Sequence, residues 1–215
     1  MTPLDRFNAL PARVRDEILD KYRNWNVDYI DWWDCVYEMF TQDMEKIGIE
    51  VDKMYFSGFS SQGDGACFEG QVTDWPKFLE SVGYTCPALI ALAKTTWFFK
   101  VTHRGHYYHE NCTSVSYDMT SPDDYSESEM DEFIDMCSPY ATDIQNAAFV
   151  SILQGYDSNK LYDEFEEEFK RHMRSLYNRL EVEYDHLTSD ESVLESLDTN
   201  DMLTEIIDEL EEEYA

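Results

Sequence analysis

Residues 49–72 read Ile49-Glu50-Val51-Asp52-Lys53-Met54-Tyr55-Phe56, then Ser57-Gly58-Phe59-Ser60-Ser61-Gln62-Gly63-Asp64-Gly65, then Ala66-Cys67-Phe68-Glu69-Gly70-Gln71-Val72. Apolar and aromatic residues flank a centre dense in turn formers, which predicts two strands joined by a loop. Downstream, Val101 to Tyr117 alternates through Tyr107, His109, Val115 and Tyr117. Breaks at Arg104-Gly105 and Glu110-Asn111 make that stretch a second source of antiparallel strands, so a sheet of three or four strands is expected.

Helical patterns surround this sheet. Pro11 suits a first helical position, and Val14, Ile18, Leu19 and Tyr22 follow at helical spacing. Asp28 is placed to cap a second helix that Gly48 ends, with Trp25, Tyr29, Trp32, Trp33, Tyr37 and Phe40 forming a broad aromatic stripe. That stripe reads first as core, with one side suited to a homodimer contact. Asp74-Trp75-Pro76 starts a short helix, and Pro87 to about Phe99 reads as a buried one. Past a linker at 120–125, Ser126 and Glu129 suit a capping box, and Met130, Phe133, Ile134 and Cys137 give an apolar face. The clearest helix runs from Asn159 to Leu187 on Leu161, Phe165, Phe169, Met173, Leu176, Leu180, Tyr184 and Leu187. Ser189 and Asn200 are read as starts of two further helices. The expected fold is α+β: a small antiparallel sheet packed by helices (residues 1–120), followed by a strongly acidic all-helical region (residues 121–215), as two regions or one continuous domain.

Charge sets the functional bounds. The 215 residues carry 46 Asp and Glu against 16 Lys and Arg, a formal net charge of -30. Such a surface repels nucleic acid and anionic membranes alike. At 43% hydrophobic and 15% aromatic residues, the chain is nevertheless composed to fold. The five cysteines are odd in number and not closely paired, which suits reduced thiols. The N-terminus lacks a signal-peptide layout, and no apolar run approaches the ~20 residues of a membrane span. A cytoplasmic protein is expected.

The charge is uneven. Residues 1–120 hold 18 acidic and 11 basic side chains, residues 121–215 hold 28 and 5. Three clusters stand out: Asp163, Glu164, Glu166, Glu167 and Glu168; Glu181, Glu183 and Asp185; and Asp208, Glu209, Glu211, Glu212 and Glu213. Like charges at helical neighbour positions destabilise by about 0.2–0.5 kcal/mol per pair. A helix of about 27 residues spans roughly 40 Å, over which duplex DNA carries about 24 phosphate charges. This property resembles the acidic DNA-mimic anti-defence proteins of phages and mobile elements. The resemblance implies a non-catalytic inhibitor in a host cell's cytoplasm, competing for a basic nucleic-acid-binding defence protein through those carboxylates. The plain alternative is an acidic surface kept for solubility.

The segment from Phe56 to Gly70, followed by His103-Arg104-Gly105-His106-Tyr107-Tyr108-His109-Glu110, is similar to uncharacterised phage proteins with an SGF-x-SQGDGA-type segment. That resemblance implies a phage origin and carries no chemistry. Read as residues, the turn lacks the Gly-Lys-Ser/Thr ending of a phosphate loop. Its glycines suit positive φ, and Ser57, Gln62 and Asp64 suit bonds to the turn backbone. An alternative polar site joins Ser57, Gln62, Asp64, His106, His109 and Glu110. There, His106 or His109 would act with a carboxylate such as Asp64, Glu69 or Glu110, and Ser57 or Cys67 as nucleophile. His103, His106, His109 and Cys112 recur every three residues, a spacing that turns opposite ways in a strand, so no metal and no cofactor is expected. A third class is an antitoxin-like binder of a basic toxin.

Overall fold

The computed structural model describes residues 2–28, 31–119 and 157–213. Tyr29, the linker at 120–125, the Ser126–Glu129 capping box and the face of Met130, Phe133, Ile134 and Cys137 lie outside the described residues. The described elements are helices α1 (Pro3–Ala9), α2 (Ala12–Tyr22) and α3 (Asp34–Lys46), strands β1 (Ile49–Phe56) and β2 (Ala66–Val72), helices α4 (Trp75–Ser81) and α5 (Pro87–Thr96), strands β3 (Phe98–His103) and β4 (Thr113–Asp118), and helices α6 (Ser158–Leu187), α7 (Asp190–Thr199) and α8 (Met202–Glu213). The fold is α+β. By compactness the chain divides into Met1–Val36 with Arg179–Ala215, and Tyr37–Asn178.

In Tyr37–Asn178, the four strands form one antiparallel sheet in the order β1-β2-β3-β4. Met54 faces Phe68 across the first pair and Val101 faces Val115 across the last, with an irregularity between Val51 and Lys53. One face of the sheet meets the apolar stripe of α6. Phe165, Phe169 and Met173 are at most 1% exposed, and Phe169 packs its ring on Phe68 (5.7 Å) and Phe99 (5.3 Å). Phe40 of α3 reaches Phe68 at 5.5 Å, and Phe78 of α4 reaches Phe165 at 5.0 Å. These aromatic contacts hold sheet and helices together.

The helix expected from Pro87 to Phe99 stops at Thr96. Thr95 and Thr96 turn their hydroxyls back onto the Ala91 and Leu92 carbonyls, and Trp97 caps the helix in an extended conformation. Phe98 and Phe99 then enter β3 opposite Asp118 and Tyr117, where aromatic residues pack well on a pleated surface.

In Met1–Val36 with Arg179–Ala215, a core of Phe7, Ile18, Leu19, Val193, Leu197, Leu203 and Ile207 joins α1, α2, α7 and α8. Three helices precede β1 where two were expected. Thr2 and Asp5 close a capping box that starts α1, and Leu10 leads in extended form to Pro11, the N-cap of α2 rather than its first helical residue. Asp28 does not start a helix either. The chain turns from Asn24, Asp31 takes φ 88°, and α3 begins at Asp34. Asn200 ends α7 as its C-cap, and Asp201 at φ 61° turns the chain into α8. No helix among the described residues is long and apolar enough to cross a membrane.

Candidate functional site

Two places carry polar side chains beyond what the core explains. The first is a pocket in Tyr37–Asn178, built where the glycine-rich turn meets the loop after β3. Asp64 accepts from the Ser60 N–H (2.9 Å) and the Ser61 N–H (2.6 Å), which closes the turn on itself. Gly65 lies so close to the loop that a Cβ there would stand 3.0 Å from the His109 Cα and the Tyr108 carbonyl oxygen. The loop is cross-bonded in turn, with the Arg104 N–H on the Cys112 carbonyl (2.7 Å) and the Cys112 N–H on the His109 carbonyl (2.8 Å). Asp64, Gly65 and Ala66 thereby come to line one pocket with His109, Glu110 and the α6 residues Met173, Arg174, Tyr177 and Asn178.

Of the alternative polar set, Asp64, His109 and Glu110 meet here, while Ser57, Gln62 and His106 do not line the pocket. Arg174, absent from the expected residues, donates to Glu110 at 3.0 Å and to Glu167 at 2.5 Å. Cys67 cannot serve as the nucleophile weighed for this region. It is fully buried, and burial, followed by the charges of Cys112 and Glu69, pushes its thiol up to about 12. Glu69 is engaged too, accepting from the Tyr55 hydroxyl (3.1 Å) and the His103 N–H (3.0 Å). Among the described residues no group of three or more His, Cys, Asp or Glu is gathered to hold a metal ion. Cys35, Cys67, Cys86 and Cys112 are free thiols, and Cys137 is outside the described residues.

The second place is the set of carboxylates, which differ in how they are compensated. On the first half of α6, Glu164 pairs with Lys160 and accepts from the Tyr84 hydroxyl. Glu166 pairs with Lys170 at 2.7 Å, Glu167 with Arg174, and Glu168 with Arg171 and His172. Asp163 is exposed beside them. This cluster is largely neutralised by its own helix.

The unit of Met1–Val36 with Arg179–Ala215 is different. It holds 21 acidic and 6 basic side chains in 73 residues, half of the net charge on a third of the chain. Arg6 bridges Asp208 (2.7 Å) and Glu211 (3.0 Å), and Arg23 bridges Asp20 (2.8 Å) and Asp190 (2.5 Å). Glu183 accepts only a long contact from the Cys35 thiol at 3.9 Å. Among the described residues no ion pair reaches Glu181, Asp185, Glu191, Glu195, Asp198, Glu205, Glu209 or Glu212. Glu191, Glu195 and Asp198 lie at i, i+4 and i+7 of α7, and Glu205, Glu209 and Glu212 repeat the spacing on α8, all exposed. Glu191, Glu195, Asp198 and Glu205 were not among the expected residues. They are scattered singly in sequence, and only the helical register lines them up.

A family model described as a domain of unknown function, DUF8835, matches residues 32–190. The chain belongs to the DUF8835 family. The match takes in α3, the whole sheet and α6, so the pocket lies within it. It stops at the first residue of α7, which leaves α1, α2, α8 and nearly all of α7 outside. No curated protein and no solved structure matches the chain.

Proposed function

We propose that this DUF8835 protein is a non-catalytic, phage-encoded competitor that occupies the basic nucleic-acid site of a host defence protein. The observation that carries the reading is the concentration of half the net charge in 73 residues, with exposed carboxylates of α7 and α8 left without cationic partners among the described residues. Repulsion among them opposes folding. A basic groove recovers that energy on binding, and the field of the whole patch steers the encounter. The spacing is sparser than DNA. Each ridge carries about one charge per 5 Å of helix axis, against one per 3.4 Å on a single strand of duplex. Several ridges together, with Glu181, Glu183 and Asp185, are needed to approach the density of a phosphate path.

The test is capture of partners by the tagged protein from bacterial lysate at low and high salt, with duplex DNA added as competitor. A nucleic-acid-binding partner released by salt and by DNA is expected. Its retention should fall at least tenfold for a Glu195→Lys, Glu205→Lys, Glu209→Lys variant that melts no lower than the parent does. Binding indifferent to salt, to DNA and to the three reversals would sink the proposal.

A further inference from the structure

We infer that the groove between α2 and α8 is a docking site for a basic amphipathic helix of a partner protein. It does not rest on the competitor reading, which needs the carboxylates alone, whereas this site has an apolar floor.

α2 and α8 each pack on α7, and a groove runs between them. Leu10 and Pro11 line it with Leu210 at one end, and Ile18 and Tyr22 line it with Ile206 at the other. The two ends enclose about 450 and about 250 Å³, and they meet at Val14 and Leu210, which line both. The core of this unit closes without help from the groove, since Leu19, Val193, Leu197, Leu203 and Ile207 are buried. Leu10, Val14, Tyr22, Ile206 and Leu210 are left only partly covered. They adjoin one another, unlike the singly scattered apolar residues of an ordinary surface.

Spacing sets the shape of the occupant. Leu10, Val14, Ile18 and Tyr22 recur every four residues, and Ile206 and Leu210 repeat that step. Ridges so spaced interdigitate with those of another helix. The 11 residues of α2 span about 16 Å. That is room for about three turns of a partner helix whose apolar residues fall at steps of three and four.

Charge sets its chemistry. Along the α2 edge the charges are engaged, with Arg13 on Glu17 at 3.0 Å and the Lys21 ammonium over the Tyr22 ring at 5.1 Å. At the Leu10 end, Glu211 is held by Arg6 at 3.0 Å. The α8 edge is open. Glu209 lines the groove, Glu205 and Glu212 lie one turn to either side, and none of the three is in an ion pair among the described residues. The occupant therefore carries Lys or Arg along the flank that meets α8. A second copy fits poorly, because it would bring another unit of 21 acidic and 6 basic side chains against the same edge. An anionic membrane is repelled for the same reason.

The experiment is a nitrogen-15 NMR titration of the full chain with a stapled helical peptide, leucine on one face and lysine along one flank. One-to-one binding is expected, with shifts at Val14, Ile18, Ile206 and Leu210 and a dissociation constant on the order of 10 μM. Two controls separate the contributions. A peptide of the same composition with its leucines scattered round the helix should bind at least tenfold more weakly, and so should one with glutamate in place of lysine. Leu210→Gln should lower affinity at least tenfold, while Val182→Gln, at an apolar position that is 70% exposed, should leave it unchanged. If Leu210→Gln fails to fold, a nitroxide at the centre of the peptide should still broaden the Val14 and Leu210 amides of the parent. Equal affinity for the scattered peptide, or shifts and broadening centred on the α6 carboxylates, would overturn the inference. So would a dimer of the free chain, seen by sedimentation velocity, that Leu210→Gln dissociates, since the groove would then belong to a second copy. The competitor reading fails on a different result, partner binding that ignores salt and DNA.

Discussion

Glu168 shows how a single carboxylate can be spent on the fold rather than on a partner. Burial pushes its carboxyl up, but hydrogen bonds from Arg171 and His172 outweigh that and hold it at about 2 against an ordinary 4.5. Because the folded value lies below the unfolded one, the contribution is complete above about pH 4.5 and is lost as pH falls towards 2. Arg171 is half exposed, so solvent screening leaves about 1–3 kcal/mol. Urea melts of the parent and of Glu168→Gln should differ by that amount at pH 7 and converge as pH drops below 3. A gap that persists at low pH would mean that Glu168 acts through packing instead. At this scale the sequence was only partly readable. Asp64 was legible as a turn-closing acceptor, since Asx side chains bond their own turns. Gly65 was read for turn freedom, yet what it supplies is room for His109 and Tyr108, and no local pattern announces contact with a loop more than 40 residues away.

Elements were legible in proportion to their length and period. The apolar stripe of α6 recurs at steps of three and four, and Leu161, Phe165, Phe169, Met173 and Leu176 are all buried as that period requires. β2 was readable because seven residues of mixed apolar and small character are bounded by turn formers on one side and Thr73-Asp74 on the other. α1 was not, since only Phe7 is buried among its seven residues and a single apolar contact leaves no period to detect. The α5–β3 boundary was missed because Trp97-Phe98-Phe99 suits either element, and pairing with β4 decides it. The register of α6 yields a direct prediction. Phe169 is 1% exposed and touches the rings of Phe68, Phe78 and Phe99, so it joins the sheet to α4 and α6 at once. Phe169→Ala should destabilise by about 3–5 kcal/mol, measured as a drop in the urea midpoint at constant slope. Val182→Ala on the same helix, at 70% exposure, should change it by less than about 0.5 kcal/mol. Equal effects would mean that α6 is rotated from the described register.

At the scale of the molecule, a net charge of -30 makes the folded state work against itself. The repulsion is greatest where carboxylates lie at helical neighbour positions without cations between them, as for Glu191 with Glu195, Glu195 with Asp198, Glu205 with Glu209, and Glu209 with Glu212. At about 0.2–0.5 kcal/mol each, those four contacts together oppose folding by roughly 1–2 kcal/mol at low salt. Glu195 and Glu209 each take part in two of them. Glu195→Gln with Glu209→Gln should therefore raise the melting temperature by a few degrees at low ionic strength, in contrast to the loss expected from Glu168→Gln. Sodium chloride should raise the parent's melting temperature as the Debye length shrinks from about 10 Å at 0.1 M to 3 Å at 1 M, and the double variant should show a shallower rise. Differential scanning calorimetry across that salt range checks both outcomes. If the double variant melts lower than the parent, these carboxylates make contacts that the fold needs, and they are not held in reserve for a basic partner. If it melts higher and also loses partner affinity, stability and binding have been set against each other on the same side chains, as a competitor that presents unpaired charge requires.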